Sequence, residues 1–255
     1  MHILVTNDDG VNAPGLLALT QAMRELGRVT VLAPDRNWSA SGHVKTLERP
    51  LRVKAAILAD GSSALATDGA PSDCVALAVL GILDDPIDLV VSGINGGENV
   101  GHDLTYSGTV TAAMEGAISG LPSVAVSLDV PHMLEGALNY GPAAAFAKKV
   151  VANVMANGLP ESTLLSVNVP YLPMEEIRGI LVTRQGLRIY KDALVRREDP
   201  RGRPYYWIGG DAPEGVPEEG TDIGALNAGY VSVTPVQLDL TAHRLLEPLR
   251  AWNWA

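Results

Sequence analysis

The sequence predicts an α/β fold: a Rossmann-like, three-layer parallel sheet core with a C-terminal β-rich, extended oligomerisation arm. Three observations lead there. First, Ile3-Leu4-Val5-Thr6 is apolar or β-branched without alternation, and Val29-Thr30-Val31-Leu32, Leu89-Val90-Val91 and Ser123-Val124-Ala125-Val126 resemble it. A strand covered by helices on both faces reads this way. Second, helical patterns separate these runs, giving βαβ units with right-handed crossovers. Third, the runs stop in polar or glycine-rich turns, and parallel sheets bind ligands beyond the carboxyl ends of their strands.

The first strand runs into Asn7-Asp8-Asp9-Gly10. Adjacent carboxylates repel unless a positive charge lies between them, and hard divalent cations suit carboxylate oxygens. The same residues also make ordinary turn chemistry, so the stretch alone supports both readings. Pro14-Gly15 leads into a helix with Leu16, Leu19, Met23 and Leu26 on one face. The second strand, Val29–Pro34, ends in a polar loop holding Asn37, Ser39 and His43. If strands one and two are neighbours, Asn37 and Ser39 can offer neutral oxygens beside Asp8 and Asp9. His43 reads as a hydrogen-bonded loop residue, because hard cations prefer oxygen.

A β excursion follows over Leu51–Leu65, with a turn at Asp60-Gly61. Pro71-Ser72-Asp73 opens an almost wholly apolar helix. The third inner strand ends in Ser92-Gly93-Ile94-Asn95-Gly96-Gly97, where the glycines permit close backbone approach and Asn95 offers a carbonyl oxygen. Ser107-Gly108-Thr109 opens a further helix, and free N–H groups at a helix start make an anion site or an ordinary cap. Ser123–Leu128 and Leu164–Pro170 read as strands and Tyr140–Met155 as a helix. Ile180–Thr183 begins a second region, so residues 1–183 form the expected core and 184–255 the arm and return segment. Arg196–Pro204 reads as a long charged loop, Tyr230–Pro235 as an edge or exchanged strand, and Trp252 and Trp254 as anchors.

Charge and composition narrow the function. A net charge of −10 argues against a nucleic-acid duplex as partner. No run approaches the length of a membrane span, and the N-terminus enters a strand at once without a secretory pattern. Cys74 is the only cysteine. The expectation is a soluble, cytoplasmic protein. The acid two positions after Asp8 that an aspartyl phosphatase needs is missing, as are a dinucleotide glycine motif and a serine elbow. Metal-assisted hydrolysis of a phosphate ester by water survives. A non-hydrolytic nucleotide or Mg²⁺ sensor is the alternative.

Asn7-Asp8-Asp9-Gly10, Ala33-Pro34-Asp35-Arg36-Asn37, Pro71-Ser72-Asp73-Cys74-Val75, Ser92-Gly93-Ile94-Asn95-Gly96-Gly97-Glu98-Asn99 and Tyr106-Ser107-Gly108-Thr109-Val110 together resemble the SurE, or stationary-phase survival, nucleotidases. So does Asp222 through Gly229-Tyr230 to Asp239-Leu240-Thr241. The resemblance implies a phosphomonoesterase acting on nucleoside 5′- or 3′-monophosphates, with one Mg²⁺ or Mn²⁺ per subunit. By position it places Asp8, Asp9, Ser39 and Asn95 around the cation, and Asn37, Gly96, Ser107, Gly108 and Thr109 at the substrate, with Asp8 or Asp9 catalytic. It further implies homodimers or homotetramers built by exchanged C-terminal segments.

Overall fold

A computed structural model describes residues 1–131, 134 and 136–254. Strand β1 (His2–Thr6) leads through helix α1 (Pro14–Arg24) to β2 (Arg28–Pro34). The hairpin β3 (Val53–Ile57) and β4 (Ser63–Thr67) precedes α2 (Pro71–Leu77). Then come β5 (Leu89–Asn95), α3 (Gly108–Ile118), β6 (Ser123–Asp129), α4 (Gly141–Asn157) and β7 (Thr163–Pro170). The last third holds β8 (Ile180–Val182), β9 (Arg188–Glu198), β10 (Pro204–Gly215), α5 (Asp222–Asn227), β11 (Val231–Gln237) and α6 (Leu246–Arg250).

Nine strands form one sheet in the order β3-β4-β2-β1-β5-β6-β7-β11-β8, parallel from β4 through β7. The sequence run of β1 now has its cause. Ile3 and Val5 face α1 and α4, where they meet Leu16, Leu19, Met23, Ala143, Ala147 and Val151. Leu4 faces the other way, onto Val75 of α2 and Ala112 of α3. Both faces are dry over Ile3, Leu4 and Val5, which is why these three positions are apolar. Burying one such leucine is worth about 1.5–3 kcal/mol.

The chain steps from β1 to β2 on one side and returns to place β5 on the other. That reversal opens a crevice beyond the carboxyl ends of β1 and β5, the usual ligand position in an open α/β sheet. Helix α3 lies close against the sheet because its residues are small. A Cβ on Gly116 would meet Ser123 Oγ at 2.3 Å and Val90 Cγ2 at 2.9 Å.

Two expectations need correction. The charged stretch Arg196–Pro204 is not a long loop. It is the tip of an antiparallel hairpin in which β9 pairs with β10 from Arg188↔Gly215 to Glu198↔Pro204, with residues 199–203 as the turn between them. Strand β11 is not at the edge either, since it lies between β7 and β8. It keeps Pro235 because β8 pairs only with Val231, Ser232 and Val233. At Pro235 the strand is locally an edge, and the missing N–H costs no ladder bond. Trp252 and Trp254 stack on each other at 5.6 Å and remain exposed rather than entering the core. Among the described residues, no helix is long and apolar enough to cross a membrane.

Candidate active site

The turn after β1 is fixed from within. Asn7 accepts the Gly10 N–H through Oδ1 at 3.2 Å and donates Nδ2 to Gly10 O at 3.0 Å. This holds Asp8 and Asp9 at the mouth of the crevice. Asp8 is 3% exposed and Asp9 is half-buried.

Asp8 meets the start of α3. Thr109 Oγ1 donates to Asp8 Oδ1 at 2.5 Å. A Cβ on Gly108 would fall 2.7 Å from Asp8 Cβ, so only glycine admits this approach. Burial pushes the Asp8 carboxyl above the usual range, while the Thr109 hydroxyl and the N–H groups of Asp8, Thr109 and Gly108 pull it back. The helix start expected to face an external anion therefore already faces one carboxylate of the chain. Ser107 is the cap of α3, and its hydroxyl accepts the Val110 N–H at 3.1 Å.

Asp9 faces Asn37 and Gly96. Asn37 Nδ2 stands 3.4 Å from Asp9 Oδ1, and Asn37 Oδ1 accepts the Ser39 N–H at 2.7 Å. Burial first, then the Asp8 charge, pushes the Asp9 carboxyl up to about 6, against a pull from the Gly96 N–H. Trp38 N–H donates to Asp8 O at 2.7 Å, which ties the loop after β2 to the turn after β1. Asn95 is the last residue of β5; its Nδ2 donates to Gly97 O at 2.7 Å, which leaves Oδ1 as its acceptor.

The family described as "Survival protein SurE" matches residues 3–192. The chain belongs to the SurE family. It is 56% identical over 254 residues to "5'-nucleotidase SurE" of Chloroflexus aggregans, covering 100% of both chains. It is 55% identical to the protein of that name from Herpetosiphon aurantiacus, covering 100% of this chain and 99% of the other. The crystal structure of the SurE protein from Aquifex aeolicus superposes with a TM-score of 0.81 at 44% identity, over 98% of each chain.

Does this SurE crevice suit a cation? Among the described residues, no basic side chain offsets the charge of Asp8 or Asp9, and no cluster of three His, Cys, Asp or Glu side chains could hold a metal. A cation would draw on two carboxylates and neutral oxygens, which is a donor set for a hard ion. Two carboxylates made reluctant to ionise by burial, and Asp9 also by the charge of Asp8, fit an ion that would relieve both.

Sequence reasoning missed two parts of this arrangement. Tyr140, at the start of α4, hangs over the glycine turn after β5: a Cβ on Gly96 would lie 3.0 Å from its hydroxyl oxygen. Burial and then the Asp9 charge hold its phenol above the usual range. The second part is a strap over residues 42–46. Buried Glu115 of α3 accepts from Lys45 Nζ at 2.7 Å and meets His43 Nε2 at 3.0 Å. Asp73 of α2 accepts the Thr46 N–H at 2.9 Å and its hydroxyl at 2.6 Å. Cys74 is fully buried and burial pushes its thiol far up, so it is no nucleophile.

Proposed function

We propose that the protein is a metal-dependent 5′-nucleotidase that hydrolyses nucleoside monophosphates to nucleoside and phosphate. The observation that carries this reading is the uncompensated Asp8–Asp9 pair at the β1/β5 switch point, set against the start of α3. Relatives named 5'-nucleotidase over their full length support the reaction class. Action on 3′-monophosphates belongs to the same reading.

Asp8, Asp9 and Asn95 would hold one Mg²⁺ or Mn²⁺, with Ser39 completing the set from the loop after β2. When bound, such a cation supplies Lewis-acid stabilisation of the phosphate and makes water more acidic. The protein's own groups do the rest. The Ser107 hydroxyl and the Asn37 amide orient the phosphate against the start of α3, where the Thr109 hydroxyl is held by Asp8, and Gly96 lets the backbone approach it. Asp9, more open than Asp8, takes a proton from the attacking water as the water oxygen bonds to phosphorus. The P–O ester bond breaks, and the nucleoside oxygen leaves with a proton from solvent. Asp8 stays fixed by Thr109 and keeps the turn in register with α3.

The hairpin supports assembly with further copies. Leu194 and Ile208 pair across β9 and β10 at 71% and 84% exposure, and Trp207 opposite Val195 is 62% exposed. Apolar side chains stand open on both faces, which a single chain leaves uncovered and a homodimer or homotetramer would bury. The working site is proposed to lie in the cytoplasm.

Phosphate release from a panel of 5′- and 3′-monophosphates, with Mn²⁺ or Mg²⁺ and after chelation, tests the function. Metal-dependent release is expected. Stoichiometric nucleotide binding without release would favour a sensor and overturn the reading.

A further inference from the structure

The segment joining β5 to α3 takes its position from the arm. Arg188, the first residue of β9, has a side chain only 10% exposed. Its Nη2 donates to Glu98 Oε1 at 2.7 Å, and its Nε stands 3.1 Å from Asp103 Oδ2. Tyr190 Oη donates to Asp103 Oδ1 at 2.5 Å. The Tyr190 ring meets Tyr106 edge-on at 6.4 Å. Asp103 is held from the arm by its side chain and passes that hold on through its backbone. Its carbonyl accepts the N–H groups of both Tyr106 and Ser107 at 3.0 Å. Ser107 then caps α3, whose next residues meet Asp8.

The backbone contacts run the same way. Gly101 donates its N–H to Asp222 Oδ2 at 2.8 Å, and Gln185 Nε2 donates to Gly101 O at 3.2 Å. A Cβ on Gly101, whose φ is +53°, would fall 2.7 Å from Gly186 O. The exposed ion pairs of this chain add little to its stability. The Arg188 cluster is different, because removing the guanidinium leaves two carboxylates facing each other with little water.

We propose that Arg188 is a positioning residue for the turn that starts α3: through Asp103 it fixes Ser107, and so couples the root of the arm to the acid pair. The inference rests on the reading above, in which Ser107 to Thr109 face the substrate phosphate. It assigns the hairpin root a part in the chemistry, beyond any part in assembly.

The test uses the wild-type chain and four variants: Arg188→Met, Arg188→Lys, Asp103→Asn and the double variant Arg188→Met/Asp103→Asn. Steady-state rates are measured with 5′-AMP and with p-nitrophenyl phosphate in Mn²⁺. Arg188→Met should lower kcat/KM about 10- to 100-fold, the cost of a misplaced binding group. KM should rise in the same proportion for both substrates, because they share only the phosphate. Arg188→Lys should recover part of the loss. The loss in Arg188→Met/Asp103→Asn should be no greater than that of Arg188→Met alone. Amide hydrogen exchange gives a readout independent of turnover: residues 99–107 should exchange faster in Arg188→Met while β1 and β5 do not change.

A lowered melting temperature with unchanged kcat and KM would overturn the proposal, as would faster exchange confined to residues 188–215. Additive losses in the double variant would do the same. If the wild-type protein releases no phosphate, the functional reading fails and the exchange measurement still judges the clamp.

Discussion

Replacing Asp9 by asparagine keeps the side-chain volume and removes one of two carboxylates that the fold crowds together. The Asp9 carboxyl stands at about 6 instead of 3.8, through burial and then the Asp8 charge. The rise from 3.8 to about 6 corresponds to about 3 kcal/mol for a site sealed from solvent. Asp9 is half-buried, and solvent screening reduces this to about 1–2 kcal/mol. The sign follows from linkage. The folded state holds the proton more tightly than the unfolded chain, so ionised Asp9 is a cost that is absent below 3.8 and complete above about 6. In chelator near pH 7.5, Asp9→Asn should therefore be more stable than wild type by about 1–2 kcal/mol, or roughly 2–8 °C for a chain of this size. Near pH 4 the two should unfold at nearly the same temperature. Added Mn²⁺ should reverse the order, since wild type gains binding energy and the variant gains far less. Thermal unfolding across pH, with and without Mn²⁺, reads all of this. A variant that is less stable in chelator near pH 7.5, or that gains as much from Mn²⁺ as wild type, would refute the reasoning.

Other perturbations act elsewhere on the same frame. Gly108→Ala drives a Cβ to 2.7 Å from Asp8 Cβ, so α3 must retreat; we expect a loss of about 1–3 kcal/mol in urea unfolding and at least a tenfold fall in phosphate release, and a fully active variant would contradict the packing. Glu115→Gln leaves His43 and Lys45 with a weaker partner. Stability should fall by about 1 kcal/mol and trypsin should cut faster at Lys45, whereas unchanged cleavage would mean the strap is held without Glu115. The pair Leu194→Glu and Ile208→Glu charges the exposed rung of the hairpin. Light scattering should show smaller assemblies than wild type, and no change in mass would argue against the hairpin as an interface.

The inner strands were legible because their cause is local in the sequence. Ile3, Leu4 and Val5 are all buried, and an unbroken apolar run is the trace of a strand covered twice. The abrupt polar ends then located the crevice, where Asn37 and the Gly96 N–H meet Asp9. How they gather was not legible. Nothing in the sequence says that Thr109 spends its hydroxyl on Asp8. The strap and the clamp escaped for a related reason. Glu115 reads as one polar residue in a helix, and Arg188 as one basic residue near the start of the arm, until the fold brings each to partners far away in the chain. The hairpin was read as a loop because both of its faces are exposed, so no face demands regular alternation. Strand β11 looked like an edge because Pro235 is compatible with one, and the short β8 that flanks it has little pattern of its own.

The proposed reaction requires one cation held by both Asp8 and Asp9. The most direct measurement is an anomalous difference map from crystals soaked in Mn²⁺. It should show a peak within coordination distance of carboxylate oxygens from both Asp8 and Asp9 and of Asn95 Oδ1. Manganese bound only elsewhere, with the acid pair empty at saturating Mn²⁺, would contradict it.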